Sequence, residues 1–108
     1  MPVREIAPLA LKEKLTAGER PVLLDVRTPQ EHALVALPGS LLLPLQEFNQ
    51  RLAELDALND KTVVVYCHTG VRSFHAAAFL ASRGVEATSL AGGIERYAVE
   101  VDPSLPRY

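Results

Sequence analysis

The run Thr62–Tyr66, which reads Thr-Val-Val-Val-Tyr, is the sequence feature that most constrains the fold. Its first four residues are β-branched, and such side chains favour an extended strand. Because the run shows no alternation of polar and apolar residues, both of its faces are expected to be buried. Strands buried on both faces are typical of parallel sheets with helices packed on each side. The run therefore predicts one strand of a parallel α/β sheet.

The rest of the chain alternates between short apolar runs and helical patterns. The apolar runs predict strands at Pro21–Val26, Leu41–Leu43 and Glu86–Leu90, with a candidate edge strand at Val3–Ile6. Helical spacing predicts helices over Leu9–Leu15, Leu45–Leu55, Val71–Arg83 and Ile94–Val99, with Gly84 ending the third. This alternation predicts a doubly wound α/β fold with a mainly parallel sheet of about five strands and helices on both faces.

Size and charge restrict the remaining classes of function. The chain has 108 residues, and we expect one domain over residues 1–108, since domains commonly contain about 100–150 residues. A net charge of −2 leaves no basic stripe, so neither nucleic acid nor a membrane surface is an expected partner. The sequence has no apolar leader or membrane-length run, and its one cysteine cannot form an internal disulfide. We therefore expect a cytoplasmic protein with a reduced thiol.

That cysteine, Cys67, directly follows the Thr62–Tyr66 strand. In doubly wound folds ligands bind at this edge of the sheet, where a strand ends and a helix begins. Backbone N–H groups of a short turn containing Gly70 can form a nest for an anion, and the helix N-terminus adds about half a positive charge. Arg72 adds a permanent charge. These groups favour a thiolate, the nucleophile that attacks a sulfane sulfur.

The alternative is that Cys67 only fills the core, which is the commoner role of an isolated cysteine. Its position between a buried strand and a glycine-containing loop with an arginine favours the reactive role. The three histidines and one cysteine show no metal-ligand spacing, and Gly92-Gly93 lacks a dinucleotide fingerprint. We therefore expect neither a metal nor a bound cofactor.

Four motifs occur in order along the chain. They are Val22–Glu31, with its aspartate-valine-arginine element, Leu37–Ser40, the loop Cys67–Ser73, and Leu90–Ile94 with its glycine pair. Together they resemble the rhodanese homology domain, and the resemblance covers Val22 to about Tyr97. Two positions depart from that family's pattern. Val35-Ala36 stands where many members have glycine-histidine, and Tyr97 stands where a tryptophan often follows the glycine pair.

The resemblance implies a sulfurtransferase. Members of the family move sulfur from thiosulfate or a similar donor through a cysteine persulfide, to cyanide in assays and to thiols or carrier proteins in cells. It implies that Cys67 carries the persulfide, with no other cofactor. It also implies that a small anionic sulfur donor binds to the loop residues His68, Thr69, Gly70, Val71, Arg72 and Ser73. The tail Val101–Tyr108 resembles that of rhodanese-like domains fused to adenylating enzymes, which suggests a sulfur-carrier protein as acceptor.

Several side chains near the loop have two interpretations. Arg27 either lies near the substrate or forms a surface ion pair with Glu31, with Asp25 capping the turn; the ion pair is favoured. The His68 imidazole is a candidate proton donor, although its backbone N–H is the more expected contributor. The hydroxyls of Thr69 and Ser73 either hydrogen-bond the terminal sulfur or cap the helix, and capping is favoured.

Two other functions compete with sulfur transfer. The rhodanese fold resembles that of the cell-cycle dual-specificity phosphatases, whose loop has five residues between cysteine and arginine. Here four residues separate Cys67 from Arg72, and a smaller ring favours a sulfur-sized anion. Arsenate reductases on a related fold keep this reaction class open. A non-catalytic binding module is the third alternative, and the presence of both residues disfavours it.

Overall fold

A computed structural model describes residues 3–108 of the chain. Five strands form one sheet: β1 (Arg4–Ile6), β2 (Val22–Asp25), β3 (Leu41–Leu42), β4 (Thr62–Tyr66) and β5 (Glu86–Leu90). All neighbouring pairs are parallel, in the order β1-β5-β4-β2-β3. The predicted strands therefore occur, β4 and β5 with the predicted bounds and the others within a residue or two. None of the helices within residues 3–108 has the length and apolar character that a membrane crossing requires.

Helices cover both faces of this sheet. They are α1 (Pro8–Thr16), α2 (Pro29–Leu34), α3 (Leu52–Asp56), α4 (Val71–Ser82) and α5 (Gly93–Glu100). One core cluster packs α3 and α4 against side chains of β4 such as Val63 and Val65. The second packs α1 and α5 against the opposite face, where Val64 and Tyr66 point. Alternate residues of β4 thus enter two different cores, which confirms the doubly wound α/β fold and explains why the strand has no polar face.

The prediction of one continuous helix over Leu45–Leu55 is wrong. A 3₁₀ helix over Leu45–Gln50 is followed by the short helix α3, and the two are separated by Arg51 at φ −126°, ψ 36°. The face predicted from the leucine and phenylalanine spacing is nevertheless the one that packs inward. Spacings of three residues within each piece suit a 3₁₀ turn as well as an α-helix, so the spacing predicts the buried face better than the helix type.

The structure contains a further helix, α2, that side-chain periodicity does not predict. It is short and buries no residue completely, so it lacks an apolar stripe. Its start is nevertheless encoded locally: Thr28 accepts a hydrogen bond from the Glu31 N–H, and the Glu31 carboxylate accepts one from the Thr28 N–H. This capping box with Pro29 in the first turn defines the helix start. Glu31 is therefore held in the first turn of α2.

The strand register brings the ends of β2 and β4 together. Asp25 pairs with Tyr66, so the residues that follow the two strands lie at the same edge of the sheet. Cys67 follows β4, and Arg27 follows β2. The first turn of α2, with Glu31, begins at this edge as well. The fold therefore gathers three chemically active side chains, of Arg27, Glu31 and Cys67, that are separated by as much as 40 positions in sequence.

Candidate active site at the β4–α4 loop

The Cys67 thiol lies inside the turn between β4 and α4. Its Sγ accepts hydrogen bonds from the Gly70 N–H at 3.1 Å and from the Ser73 N–H at 3.4 Å. The cysteine is 1% exposed. Two backbone donors on one sulfur, at the start of a 12-residue helix, stabilise negative charge there. The predicted anion nest is thus present, and in this structure the cysteine sulfur itself lies in it.

The glycine pair Gly92-Gly93 lets the start of α5 approach the β4–α4 loop closely and hold it by backbone hydrogen bonds. The N–H groups of Ile94 and Glu95 donate to the carbonyl oxygens of Cys67 and His68 at 2.9 and 3.0 Å. A Cβ on Gly93 would lie 2.3 Å from the His68 carbonyl oxygen, so a larger residue cannot take its place. Because α5 binds these two carbonyls, they are kept away from the sulfur. In sequence the pair shows only the lack of a dinucleotide fingerprint, and its supporting role depends on contacts that the fold creates.

The Ser73 hydroxyl makes contacts other than the favoured helix cap. Gly70, at φ 103°, occupies the N-cap of α4, and no side chain caps the helix. Ser73 Oγ lies 3.5 Å from Cys67 Sγ and 2.8 Å from Ser89 Oγ, which comes from β5. The capping interpretation is therefore wrong for Ser73, because the backbone turns at glycine before the helix begins. Ser73 and Ser89 form a buried polar contact beneath the sulfur.

Arg72 is held by a carboxylate on the neighbouring helix. Its two terminal nitrogens donate to the two oxygens of Glu31 at 2.7 and 2.9 Å. Hydrogen bonds from Arg72 hold the pKa of Glu31 well below its usual range, and those to Glu31 raise the pKa of Arg72. The predicted Arg27–Glu31 ion pair is therefore wrong: Glu31 binds Arg72. Arg27 precedes α2 and is not part of it, so the four-residue spacing does not place the two side chains on one helix face.

Arg27 is instead fully buried and bound to Asp25. Its Nε and Nη2 donate to the two carboxylate oxygens of Asp25 at 2.9 and 2.8 Å, and Nη2 also donates to the Val35 carbonyl. The Asp25 carboxylate also accepts the Arg27 backbone N–H at 3.0 Å, so the turn-capping role predicted for it is confirmed. His32 Nδ1 lies 2.8 Å from the same carboxylate. Burial alone would raise the pKa of Asp25, but hydrogen bonds from Arg27 and His32 lower it.

Tyr108 connects the two arginine–carboxylate pairs. Its hydroxyl accepts a hydrogen bond from Arg27 Nη1 at 2.8 Å and donates one to Glu31 Oε2 at 2.7 Å. Its ring stacks on the His68 imidazole, with centroids 4.0 Å apart and planes 15° from parallel. Burial, together with the neighbouring Glu31 carboxylate, raises the pKa of Tyr108 to about 12. The phenol thus stays protonated at neutral pH and remains a donor to Glu31.

The loop residues predicted as a group divide into three environments. His68 lies under the Tyr108 ring, and its Nε2 is buried with no hydrogen-bond partner within residues 3–108. Thr69 and Val71 are exposed and, with Gly70, line a shallow cavity of about 310 Å³ that also contacts Phe74 and Gly92. Cys67 and Ser73 are buried, and Arg72 faces Glu31. Of the loop residues, Gly70 and Ser73 contact the Cys67 sulfur, and the seven residues differ in their access to solvent.

Glu31, Ser89, Gly93 and Tyr108 are site residues whose roles no sequence motif indicates. The capping box offers a signal for where Glu31 is held, but not for its partner. Ser89 is a buried polar residue in β5, and buried polar side chains usually have a hydrogen-bond partner. Tyr108 is 81 positions from Arg27, and no local pattern indicates their hydrogen bond.

Comparison with known proteins places this geometry in a family. The rhodanese-like domain model matches residues 7–100. The probable adenylyltransferase/sulfurtransferase MoeZ of Mycobacterium tuberculosis is 38% identical over 106 residues, which cover 95% of this chain but 26% of MoeZ. The chain thus spans about a quarter of that protein. A sulfurtransferase of Allochromatium vinosum is 37% identical, with 89% of each chain covered. The putative sulfurtransferase YtwF of Bacillus subtilis is 31% identical, with 95% of this chain and 98% of YtwF covered.

Solved structures agree with the sequence comparison. A rhodanese-related protein from Thermoplasma volcanium superposes with a TM-score of 0.81 at 31% identity, over 91% of this chain and 93% of that one. The human single-domain sulfurtransferase TSTD1 gives 0.77 at 26% identity, over 91% and 97%. The fold, the order of the strands and the cysteine loop at the carboxyl edge therefore lead to one conclusion: the chain belongs to the rhodanese-like domain family.

Proposed function

We propose that this protein is a sulfurtransferase that carries sulfur as a persulfide on Cys67. The observation that carries the proposal is the pair of backbone N–H groups, from Gly70 and Ser73, directed at Cys67 Sγ. The sulfurtransferases of Allochromatium vinosum and Bacillus subtilis, which align over most of their own lengths, support the same activity. Cys67 is the only cysteine, so the sulfur has one site of attachment.

In the first half-reaction the Cys67 thiolate attacks the outer sulfur of thiosulfate. A sulfur–sulfur bond forms to Cys67, the bond between the donor's two sulfurs breaks, and sulfite leaves with the electron pair. The persulfide keeps one negative charge, so charge balances without a proton or an external oxidant. The inward N–H groups can stabilise this anion by charge-assisted hydrogen bonds, each worth about 1.5–3 kcal/mol.

In the second half-reaction an acceptor takes the terminal sulfur. A nucleophile such as cyanide attacks it, thiocyanate leaves, and the Cys67 thiolate is regenerated. Ser73 Oγ, 3.5 Å from Sγ, adds a polar contact beneath the thiolate. The cycle requires no metal and no cofactor beyond the persulfide itself.

The arrangement of Arg72 supports sulfur transfer over phosphate ester hydrolysis. A phosphatase arginine is expected to bind the phosphate oxygens in two-pronged fashion. Here the two terminal nitrogens of Arg72 are already bound by Glu31. The four-residue spacing between Cys67 and Arg72 also makes a smaller ring than the five-residue phosphatase loop. We therefore propose that Arg72 contributes positive charge to the loop and does not grip a phosphate group.

For the acceptor, we propose a thiol or a sulfur-carrier protein. The match to MoeZ, whose name combines adenylyltransferase and sulfurtransferase activities, supports a protein acceptor. Thr69 and Val71 at the exposed tip of the loop provide a surface that such an acceptor could approach. For the donor, the anion nest supports thiosulfate or another small anionic sulfur compound.

The test is the intact mass of the protein after incubation with thiosulfate. We expect an added mass of one sulfur atom, which is lost on addition of cyanide with formation of thiocyanate. Cys67→Ser should remain folded, because serine is close in size, and should neither gain sulfur nor form thiocyanate above the uncatalysed rate. Sulfate in place of thiosulfate is the matched control, since it has the same charge and no sulfane sulfur. Thiocyanate formation by a folded Cys67→Ser protein would refute the mechanism.

A further inference from the structure

The segment after α5 returns to the active-site edge of the sheet. Arg107 pairs with Glu95 on α5, and Tyr108 lies against the β4–α4 loop. Three contacts place its side chain: hydrogen bonds to Arg27 and Glu31, and the stack on His68. The Tyr108 side chain is nevertheless partly open to solvent, at 41% exposure. A partly exposed ring is thus held at a defined place beside a cysteine that is itself 1% exposed.

The partners of Tyr108 are unusual because all three belong to the active-site edge. His68 is the residue after Cys67, Glu31 binds Arg72, and Arg27 is fixed by Asp25. The buried Arg27–Asp25 pair forms a rigid base, so the hydroxyl is held by a group that cannot move easily. The aromatic ring, by contrast, lies on the loop and covers one face of the imidazole. The Tyr108 hydroxyl therefore anchors the side chain to the buried Arg27–Asp25 pair, and the more exposed ring covers the imidazole of His68.

We propose that Tyr108 is a specificity-determining residue that limits the size of the sulfur donor. This inference rests on the sulfurtransferase function proposed above. When a donor presents its sulfane sulfur to Cys67, its leaving group extends away from the nest toward the rim of the loop. The Tyr108 ring lies on this loop, stacked on His68, the residue that directly follows Cys67. A small leaving group passes beside the ring, whereas a bulky one requires the ring to leave its stack on His68.

The buried Nε2 of His68 fits this assignment. It has no hydrogen-bond partner within residues 3–108, although buried polar nitrogens are usually satisfied. The Tyr108 ring supplies an apolar face to the imidazole and offers Nε2 no acceptor or donor. An unsatisfied buried polar atom costs free energy, and that cost is relieved if the ring moves aside and Nε2 gains a hydrogen-bond partner. The covering contact is therefore one that a suitable ligand can displace.

Two donors of equal charge and different size provide the test. Methanethiosulfonate and p-toluenethiosulfonate are both monoanions; in each, the terminal sulfur bonds to Cys67 and a sulfinate leaves with the electron pair. The measurement is kcat/KM for each donor, with cyanide as acceptor and thiocyanate as product. Tyr108→Ala should raise kcat/KM for the aryl donor relative to the methyl donor by about fivefold or more. Tyr108→Phe, which keeps the ring, should shift the ratio by less than half as much.

Arg107→Ala is the matched control, since it changes the adjacent residue and its exposed pair with Glu95 but keeps the ring. Its donor ratio should equal that of the parent. Urea unfolding of each variant verifies that it is folded, and a purely structural role of Tyr108 would lower stability without changing the ratio. An unchanged or lower aryl-to-methyl ratio in folded Tyr108→Ala would overturn the proposal. An equal shift in Arg107→Ala would also overturn it, by assigning the effect to the segment and not to the ring.

The parent protein separates this proposal from the function on which it rests. If the parent transfers no sulfur from either donor, or if Cys67→Ser retains transfer, the sulfurtransferase function fails. If the parent turns over both donors through Cys67 and only the Tyr108 comparison gives the contrary result, the size-selection role alone fails.

Discussion

Two arginine–carboxylate pairs lie at the active-site edge, and they differ mainly in burial. In the pair of Arg27 and Asp25, both side chains are 0% exposed. In the pair of Arg72 and Glu31, the side chains are 38% and 18% exposed. Each arginine donates to both oxygens of its partner. The same chemical contact therefore occurs twice, a short distance apart, in two dielectric environments.

The difference shows why the two pairs have different roles. Removing a charge from water is costly, and the buried pair offsets that cost with further hydrogen bonds to Val35, His32 and Tyr108. Once formed, such a pair is rigid, because breaking it would leave a buried charge without a partner. The partly exposed pair loses less when it opens, so Arg72 can respond to an anion near Cys67. The buried Arg27–Asp25 pair is thus suited to hold neighbouring side chains in place, and the partly exposed Arg72–Glu31 pair is suited to open when an anion binds near Cys67.

The largest effect is expected when the buried pair is broken. Arg27→Met leaves the Asp25 carboxylate without its main partner, and should lower the free energy of unfolding by about 3–5 kcal/mol. Urea denaturation at neutral pH measures this loss. Arg51→Met is the control, because Arg51 also pairs with carboxylates, Glu47 and Glu54, but on the surface. A similar loss in both variants would mean that burial does not distinguish them.

A smaller, pH-dependent effect is expected at Glu31. Its pKa is lowered in the folded protein, mainly by Arg72, so the carboxylate contributes stability above its unfolded pKa of about 4.3. That contribution is lost as the pH falls through the folded pKa. Glu31→Gln should therefore be less stable than the parent by about 1 kcal/mol at pH 7, and the difference should begin to shrink as the pH falls below about 4.3 and continue to shrink at lower pH. Urea denaturation at several pH values tests this, and a difference independent of pH would contradict it.

The smallest effects are expected at Arg72. Because Tyr108 still binds Glu31 in Arg72→Ala, unfolding should change by less than about 1 kcal/mol. The KM for dianionic thiosulfate should rise by about threefold relative to that for monoanionic methanethiosulfonate, since one partly screened charge is lost. Glu31→Gln, which frees Arg72, should shift the same ratio in the opposite direction. Equal changes in KM for both donors would show that Arg72 maintains the shape of the loop and does not distinguish donors by their charge.

Much of the fold could be predicted from local sequence. The run Thr62–Tyr66 has strand-forming side chains and no polar face, and it forms a strand with those bounds. The helix Val71–Ser82 is predicted within one residue, and Gly84, at φ 87°, follows its end. The break at Arg51 could not be predicted, because the leucines on either side keep a helical spacing through it. Side-chain periodicity reports burial, and two short helices can bury the same face as one long helix.

The site was predictable to the extent that it depends on adjacent residues. A nest formed by N–H groups of Gly70 and Ser73 follows from a cysteine, a glycine turn and a helix start within seven positions. The partner of Arg27 was not predictable in this way. A spacing of four residues favours Glu31 only if both residues are helical, and α2 begins after Arg27.

The sequence by itself therefore determined the alternation of strands and helices, the location of Cys67 after β4 and the charge available in its loop. Tertiary structure alone decided that Glu31 binds Arg72, that Gly93 supports the loop from α5, and that Tyr108 lies on His68. The physical reason is the range of the interactions. Backbone conformation responds to near neighbours, whereas a long side chain binds whichever partner the packed sheet brings within about 3 Å.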